Sequence, residues 1–497
     1  MLLTILAFVP FIFLIYFLVY KELRASKVLF FTFLLTFFLL FFVWKQPFNE
    51  LVHAILKGLF VTLDLFLIIF GVLLLFFLLQ KTHHLQKLER YFLHLSSDIP
   101  VHIVFIGFFL VVFFEAIAGF GIPALIAAPL LVLVGVRPLH AVILTLISDS
   151  VVSLFGAFGT PVIIGLEALP ISVAEVSFFA GLIGGIILLC TPFTLLFVYS
   201  RLTKKSYSRF TPFVLVSGLV SAVLFFLSAW FFGPEFPSVI SSIGGFIIMF
   251  LLLRLHVFSV RIKSPALRPA RVALLCYSLI ILLLLLTRLN VFSLGDTARQ
   301  VGFTVVFSES LGHTLSLFSP GALILLSVLF CIFFLRPSKE VFFSSLRSTK
   351  EKSFPVILTL VWVLLFAQLV MHSSDPSLPS LIAGLFAHSG WLYVFIAPIL
   401  GAFGSFSAGG ATISTLMFSG VQLEVALLSG FSPGVILALQ LVGAGIGNML
   451  AIHNLVAVLT VVHLSHGIPV VIKANIRIAL LFCLLASLFA FILLLFV

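Results

Sequence analysis

Charged side chains are scarce in this chain of 497 residues. Asp, Glu, Lys and Arg make up 9% of it and hydrophobic residues 62%, whereas soluble proteins carry roughly 25% charged residues. So little charge excludes a soluble enzyme, a nucleic-acid-binding protein, a disordered chain and a disulfide-stapled secreted domain. One bilayer crossing needs roughly 20 apolar residues, so the composition indicates a multi-pass membrane protein.

Cysteine is also scarce, and the common catalytic and metal-binding motifs are missing. The chain contains no HExxH, Walker loop or GxSxG sequence. We therefore expect no enzymatic activity, no cofactor and no bound metal. A membrane-embedded enzyme remains an alternative, but the short loops offer no catalytic group at the membrane surface. The four cysteines lie in apolar segments without CxxC spacing, as small buried hydrophobic residues do: Cys190, Cys276, Cys331 and Cys483.

Apolar segments rich in Leu, Phe, Ile and Val recur along the whole chain. Their lengths favour membrane-spanning helices. Strands are not expected, because no series of ten-residue alternating segments is present. We predict an all-α polytopic membrane protein with about 12–16 transmembrane segments, organised as a single transporter domain over residues 1–497.

The basic residues are unevenly distributed along the chain. The loops near Glu167, Glu235 and Asp375 contain no Lys or Arg. Cytoplasmic loops are enriched in basic residues, and a topology with both termini outside places every basic cluster in the cytoplasm. Those clusters lie at residues 21–27, 81–90, 137, 201–209, 254–271, 336–352 and 473–477.

Two regions, 101–165 and 391–463, differ from ordinary spanning helices. Gly, Pro, Ser and Thr interrupt their apolar segments, as in AGFGIP, FGAFGTP, GSFSAGGATIS and GAGIGN. Broken backbone within a membrane is tolerated only where protein or a water-filled cavity satisfies its polar groups. In the predicted topology the two regions are entered from opposite sides. This arrangement is typical of inverted-repeat transporters with broken helices or re-entrant hairpins at the midplane. The alternative is a set of Gly-rich packing helices.

Three acidic residues, Asp64, Glu115 and Asp149, fall deep within predicted membrane segments. Acids at that depth are costly and usually face a cavity or serve function. Burial disfavours the charged form of a carboxyl group, so such an acid can take up and release a proton. We predict that Glu115 and Asp149 couple transport to protons; the alternative is a permanently neutral acid. Asp64 lies on an unbroken helix, where a structural role is expected.

Half-helix ends could bind an anion without a buried Lys or Arg, because their free N–H groups carry partial positive charge. His453 lies beside the second break, as a proton relay, an anion contact or a packing residue. Hydroxyls in membrane helices also bond their own backbone, which is the alternative for each Ser and Thr. The candidate substrate-binding residues are Gly119, Gly121, Ser405, Ser407, Gly409, Gly410, Thr412, Ser414 and Asn448.

The segment FFEAIAGFGIPALIAAPLLVLVGVRPLHA resembles the hallmark of the bacterial L-lactate permease family. The downstream LISDSVVSLFGAFGTPVIIG and, in the second half, TLMFSGVQ, GAGIGNM and HNLVAV are similar to the same family. Two positions depart from the family pattern, which has an aspartate near Ala411 and a lysine at Asn448. The resemblance is therefore to a divergent member, in which an ion pair has been replaced.

This resemblance implies a secondary transporter in a bacterial inner membrane. It would take up a short 2-hydroxy monocarboxylate, lactate or glycolate, together with protons. The expected partners are this small organic anion, protons and membrane lipid. Sodium coupling or a different organic anion remains an alternative, since unwound backbone can also coordinate Na⁺. The sequence leaves the particular carboxylate and the oligomeric state open.

Overall fold

The computed structural model describes residues 2–21, 23–119, 121–258, 260, 263, 270–308, 311–464 and 467–496. As predicted, these residues are almost entirely helical. The α-helices, numbered in chain order, are α1 Leu2–Ile15, α2 Ala25–Phe42, α3 Phe48–Lys81, α4 His84–Leu93, α5 Ile99–Val104, α6 Val111–Ile117, α7 Ile122–Leu133, α8 Pro138–Ser148, α9 Gly156–Ile163, α10 Val173–Thr203, α11 Thr211–Phe232, α12 Pro237–Arg254, α13 Arg271–Arg288, α14 Leu294–Gln300, α15 Pro320–Leu335, α16 Lys339–Met371, α17 Leu378–Ala387, α18 Tyr393–Ala408, α19 Ala411–Ser429, α20 Pro433–Asn448, α21 Ile452–Val461 and α22 Ile468–Leu493.

Twelve described helices are long and apolar enough to cross a membrane, or thirteen if the bent pair α8 and Val151–Ile163 counts as one span. Large hydrophobic side chains such as Phe292, Phe333 and Phe496 are more than half exposed. Exposed apolar surface on this scale suits lipid rather than water. The chain is thus a multi-pass membrane protein, and the number of spans lies within the predicted range.

A short antiparallel β-hairpin is an exception to the helical fold. Strands β1 Gly302–Ser308 and β2 Leu311–Ser316 pair from Gly302 opposite Ser316 onward. The threonine hydroxyls of Thr304 and Thr314 bond across the strands at 2.8 Å. Strand β1 is rich in Thr, Val and Phe, residues that favour strands, but the hairpin is too short to cross a bilayer. The expectation of no strands is wrong for this segment.

The chain packs as two compact units, each built from segments that are separated in sequence. Unit 1 comprises residues 1–25, 95–263 and 375–497, and unit 2 comprises residues 26–94 and 264–374. Both predicted broken regions, 101–165 and 391–463, lie in unit 1. Unit 1 therefore carries every candidate site residue.

Unit 2 is built around the long helices α3 and α16. Gly58 on α3 lies against Leu365 of α16, so the two helices approach closely. At one end, Lys81 Nζ donates to the Ser344 carbonyl at 2.6 Å and to the Ser348 hydroxyl at 2.7 Å. These bonds bring the basic segments 81–90 and 336–352 to the same end of this unit.

In unit 1, three of the basic segments also lie at one end. Arg209 forms an ion pair with Asp98 at 2.9 Å. The Lys263 N–H donates to the Leu95 carbonyl at 2.7 Å. The loop before α8, with Arg137, lies near this end because the ring of His140 packs against that of Tyr199, near the end of α10. This clustering is consistent with one cytoplasmic end.

The two broken regions of unit 1 each contain a helical hairpin. Helices α7 and α8 lie side by side and are joined by residues 134–137. Helices α18 and α19 form a second hairpin whose tip is Gly409 and Gly410. In this hairpin the Ser414 hydroxyl donates to the Gly401 carbonyl at 2.6 Å.

Helix α20 packs against α18 through glycines one turn apart. A Cβ atom on Gly443 would collide with the backbone of Pro398, and one on Gly447 with the backbone of Ala402. The Ser405 hydroxyl of α18 donates to the Ala444 carbonyl of α20 at 2.6 Å. Small residues at four-residue spacing permit such close contact between membrane helices. The Gly-rich sequence of α20 thus has a packing role as well.

A buried polar network joins α18, α19 and α20. The Tyr393 hydroxyl donates to Gln422 Oε1 at 2.7 Å, and Gln422 Nε2 donates to Gln440 Oε1 at 2.8 Å. Gln440 Nε2 in turn donates to the Ser414 hydroxyl at 3.2 Å. Each link satisfies a polar group that would be costly to bury alone. The network holds the three helices together in a defined register.

The clustering of basic segments predicts the orientation of unit 1. A cysteine at Glu167 should react with a membrane-impermeant maleimide in right-side-out spheroplasts, and a cysteine at Lys204 should react only after permeabilisation. Both positions are exposed. The native cysteines, which are buried or half-buried, give the background in the parent protein. Labelling of the Lys204 cysteine in sealed spheroplasts would contradict this orientation.

The contact between α18 and α20 predicts a stability difference. Gly443→Val should lower the free energy of unfolding by about 1–3 kcal/mol, because the added side chain meets backbone that cannot move aside. Gly384→Val on α17 is the matched control, since no described atom lies within 4 Å of a Cβ placed there. Thermal unfolding in detergent measures both. Equal melting temperatures for the two variants would show that the contact is not tight.

Candidate functional site

Two carboxyl groups form the centre of the candidate site. Glu115 lies in the last turn of α6, and Asp149 directly follows α8. Both are buried, with 3% and 0% of their surface exposed, and their carboxyl groups lie close enough to interact directly. Gly156 makes this placement possible, because a Cβ atom there would collide with Glu115 Oε1.

A hydrogen bond between two carboxyl groups requires a proton. An ionised carboxylate can only accept hydrogen bonds, whereas a protonated one can donate. Within the described part of the chain, no N–H or O–H donor reaches Glu115 Oε2 or Asp149 Oδ1. Two carboxyl groups this close and this buried do not both ionise, so we expect them to share a proton.

Two asparagines extend the pair toward the second broken region. Asn448, the last residue of α20, donates from Nδ2 to Asp149 Oδ2 at 3.2 Å and to the Asp149 carbonyl at 3.4 Å. Asn454, in the first turn of α21, donates from Nδ2 to Asn448 Oδ1 at 3.0 Å. The second broken region is thereby joined to the first through side chains.

The first broken region bends at glycines with left-handed backbone. Gly119 and Gly121 have φ angles of 57° and 78°. A Cβ on Gly121 would collide with Asn454 Oδ1, so glycine is needed there for close approach. A second left-handed stretch spans residues 157–159, and non-glycine residues in this conformation often mark functional sites.

The second broken region turns at Gly409 and Gly410, which have φ angles of 93° and 154°. The ring of His453 lies over Gly409, with Nδ1 2.6 Å from the position of an added Cβ. Thr412 lies buried in the first turn of α19, while His453 is exposed and both glycines are half-exposed. The hairpin tip is therefore accessible, unlike the carboxyl pair.

The candidate serines bond to backbone carbonyls. Ser405 and Ser414 donate to carbonyls of α20 and α18, as described above, and both are fully buried. Ser407 donates to the Phe403 carbonyl of its own helix at 2.8 Å. Ser407 thus makes the bond to its own helix that was the alternative to substrate binding, whereas Ser405 and Ser414 bond to neighbouring helices. A role in substrate binding stays a prediction for all three residues.

Helix ends of opposite polarity lie on the two sides of this site. The N-terminus of α7 meets the first turn of α21 through the Gly121–Asn454 contact. His453 lies over Gly409, which ends α18 one residue before Gly410 begins α19. The C-termini of α6, α8 and α20 meet at the carboxyl pair and Asn448. Helix N-termini favour anions and C-termini favour cations. Residues 393–461 contain neither Lys nor Arg, so the N-termini are the source of positive potential in this region.

Several residues of this site were not among the predicted site residues. Asn454 and Gly156 touch the predicted residues directly, and Gln422 and Gln440 support Ser414. The sequence signal that could have identified the three amides is a polar side chain within an apolar helix. Such a side chain is unusual for an amide as well as for an acid. Gly156 had no distinguishing local signal among the many glycines of the chain.

The chain is similar in sequence to proteins that are named as L-lactate permeases. A protein of Haemophilus influenzae, provisionally named an L-lactate permease, is 30% identical over 462 residues, which cover 85% of each chain. The L-lactate permease of Escherichia coli strain K12 is 25% identical over 450 residues, 82% of this chain and 80% of that protein.

A solved structure, that of the Alcanivorax borkumensis YdaH transporter, matches 85% of this chain and 84% of its own. Its TM-score is 0.43 at 14% sequence identity, which is too low to support a conclusion about the fold. The family described as L-lactate permease matches residues 3–497. Over essentially its whole length, the chain belongs to the L-lactate permease family.

Proposed function

We propose that this protein takes up a short 2-hydroxy monocarboxylate, lactate or glycolate, together with protons, across a bacterial inner membrane. The observation that carries the proposal is the buried Glu115–Asp149 pair, which Asn448 and Asn454 connect to the first turn of α21. The names of the relatives support lactate as the substrate.

The substrate carboxylate would bind to free N–H groups at the starts of α19 and α21. The first N–H groups of a helix lack intrahelical partners, and Gly409 and Gly410 leave their surroundings open. A carboxylate needs no buried Lys or Arg at such a position. The hydroxyl of the substrate would lie within reach of Thr412 or His453.

Protons would be carried by the carboxyl pair. The C-termini of α6, α8 and α20 place negative potential there, which favours a proton on the pair. A second proton would neutralise the pair while the anion binds at the N-termini, so the loaded site would gain no net charge. Loading both together lowers the cost of moving the site between the two membrane faces.

Sodium coupling is the second candidate mechanism, since buried carboxylates and unwound carbonyls also suit Na⁺. Replacing sodium by choline in a transport assay distinguishes the two mechanisms. Proton coupling requires that lactate accumulation be unchanged in choline and collapse when the imposed pH gradient is removed. Accumulation that depends on sodium and ignores the pH gradient would overturn proton coupling.

Neutralising the pair should separate transport from proton coupling. Glu115→Gln imitates the protonated acid but releases no proton. In proteoliposomes this variant should still exchange labelled lactate at equal pH, yet lose at least about tenfold of the accumulation driven by a pH gradient. Glu424→Gln, on α19 outside the site, is the matched control and should accumulate lactate normally. Loss of folding by Glu115→Gln, judged by thermal unfolding, would indicate a structural role instead.

The proposed anion site also predicts which ligands stabilise the protein. Lactate and glycolate should raise the melting temperature of the purified protein, because a ligand at 100 times its Kd adds about 2.7 kcal/mol. Lactamide has the same shape as lactate without the charge and should give no shift. An equal shift with lactamide would show that helix N-termini do not select a carboxylate here.

A further inference from the structure

We propose that Asn448 and Asn454 are positioning residues that transmit the protonation state of the Glu115–Asp149 pair to the first turn of α21. This inference rests on the proposed proton coupling. In it, the two amides couple protonation of the carboxyl pair to binding of the anion. Neither asparagine needs to touch the substrate for this role.

The first step is the bond from Asn448 to Asp149. Asn448 Nδ2 donates to Asp149 Oδ2 at 3.2 Å. A hydrogen bond to an ionised carboxylate is roughly twice as strong as one to a neutral group. When the pair holds a single proton it is negatively charged and binds the amide strongly. A second proton removes that charge and weakens the hold on Asn448.

The second step is the bond between the two amides. Residues 449–451 interrupt the helix between α20 and α21, and Asn448 Oδ1 accepts from Asn454 Nδ2 across this interruption. Asn454 is 1% exposed, and its Oδ1 has no donor within the described residues. A buried carbonyl oxygen without a donor is costly. The bond from Asn454 Nδ2 to Asn448 is thus the side-chain hydrogen bond that holds this amide in place among the described residues. The side chain of Asn454 is therefore tied to Asn448 by this bond.

The third step leads from Asn454 to the hairpin tip. Asn454 shares the first turn of α21 with His453, whose ring lies over Gly409. On its other side Asn454 Oδ1 abuts Gly121, at the N-terminus of α7. A shift of Asn454 would thus move the helix ends that we assign to the anion.

Other titratable groups on the neighbouring elements lie elsewhere. His140 is in the first turn of α8, and Glu175 and Arg201 are at the two ends of α10. Arg254 is in the last turn of α12, and Lys473 and Arg477 on α22 are exposed. His453 is the one that borders the interruption itself. The two asparagines therefore connect the Glu115–Asp149 pair to the turn that contains His453.

Asn475 provides a matched control within the same unit. It is also a buried asparagine, and its Nδ2 donates to the Met449 carbonyl at 3.4 Å, within the same interruption. This bond joins Asn475 to backbone and not to the carboxyl pair. Truncating Asn475 therefore removes a comparable bond without cutting the chain of amides.

The test compares two activities of the full-length protein in proteoliposomes. Labelled lactate exchange at equal pH reports binding and movement of the loaded carrier, and accumulation under an imposed pH gradient reports coupling. The ratio of accumulation to exchange should fall about tenfold in Asn448→Ala and in Asn454→Ala. The double variant should show no further loss, because both substitutions cut one chain. Asn475→Ala should keep the ratio of the parent protein.

Parallel loss of both activities, additive losses in the double variant or an equal effect of Asn475→Ala would each overturn the inference. Failure of the unmodified protein to accumulate lactate with the pH gradient would instead refute proton coupling, and this inference with it. Thermal unfolding checks folding. If Asn454→Ala does not fold, Asn454→Leu, which preserves the side-chain volume, takes its place with the same expected ratio.

Discussion

Two carboxyl groups that are buried in contact can be hydrogen-bonded only if a proton lies between them. The placement of Glu115 against Asp149 imposes this condition on the protein. The surrounding structure serves to keep the two groups together. Glycine at position 156 leaves room for Glu115, and Asn448 donates to Asp149. The backbone breaks at Gly121 and at residues 449–451 allow Asn454 to contact both Gly121 and Asn448.

Helix ends replace ionised side chains in this site. A Lys or Arg at this depth would carry a large desolvation cost, and the segments of the second broken region contain none. Helix termini provide partial charges of either sign without that cost, provided that the chain is interrupted within the membrane. The interruptions at Gly121, Gly409 and residues 449–451 thus have an electrostatic consequence as well as a geometric one.

The glycines of unit 1 serve two different purposes. Those with left-handed backbone, such as Gly121 and Gly409, allow the chain to turn. Those within α20, Gly443 and Gly447, let α18 approach closely. Both uses were considered as alternatives for the glycine-rich segments, and the structure contains both within one region. For Ser405 and Ser414 the structure shows the packing role, since their hydroxyls donate to backbone carbonyls of neighbouring helices.

The sequence by itself determined the membrane class, the helical content, the places where helices break and the family. These properties follow from hydropathy, from local backbone preference and from motifs of adjacent residues, so they can be read from short segments. It also singled out Glu115, Asp149 and Asn448 as unusual polar residues. Only the tertiary structure decided that these residues meet, since Asn448 and Asp149 are 299 positions apart. Contacts at that separation depend on how helices of unit 1 that are distant in sequence pack against each other. The roles of Asn454 and Gly156, the division into two units and the small β-hairpin were decided in the same way.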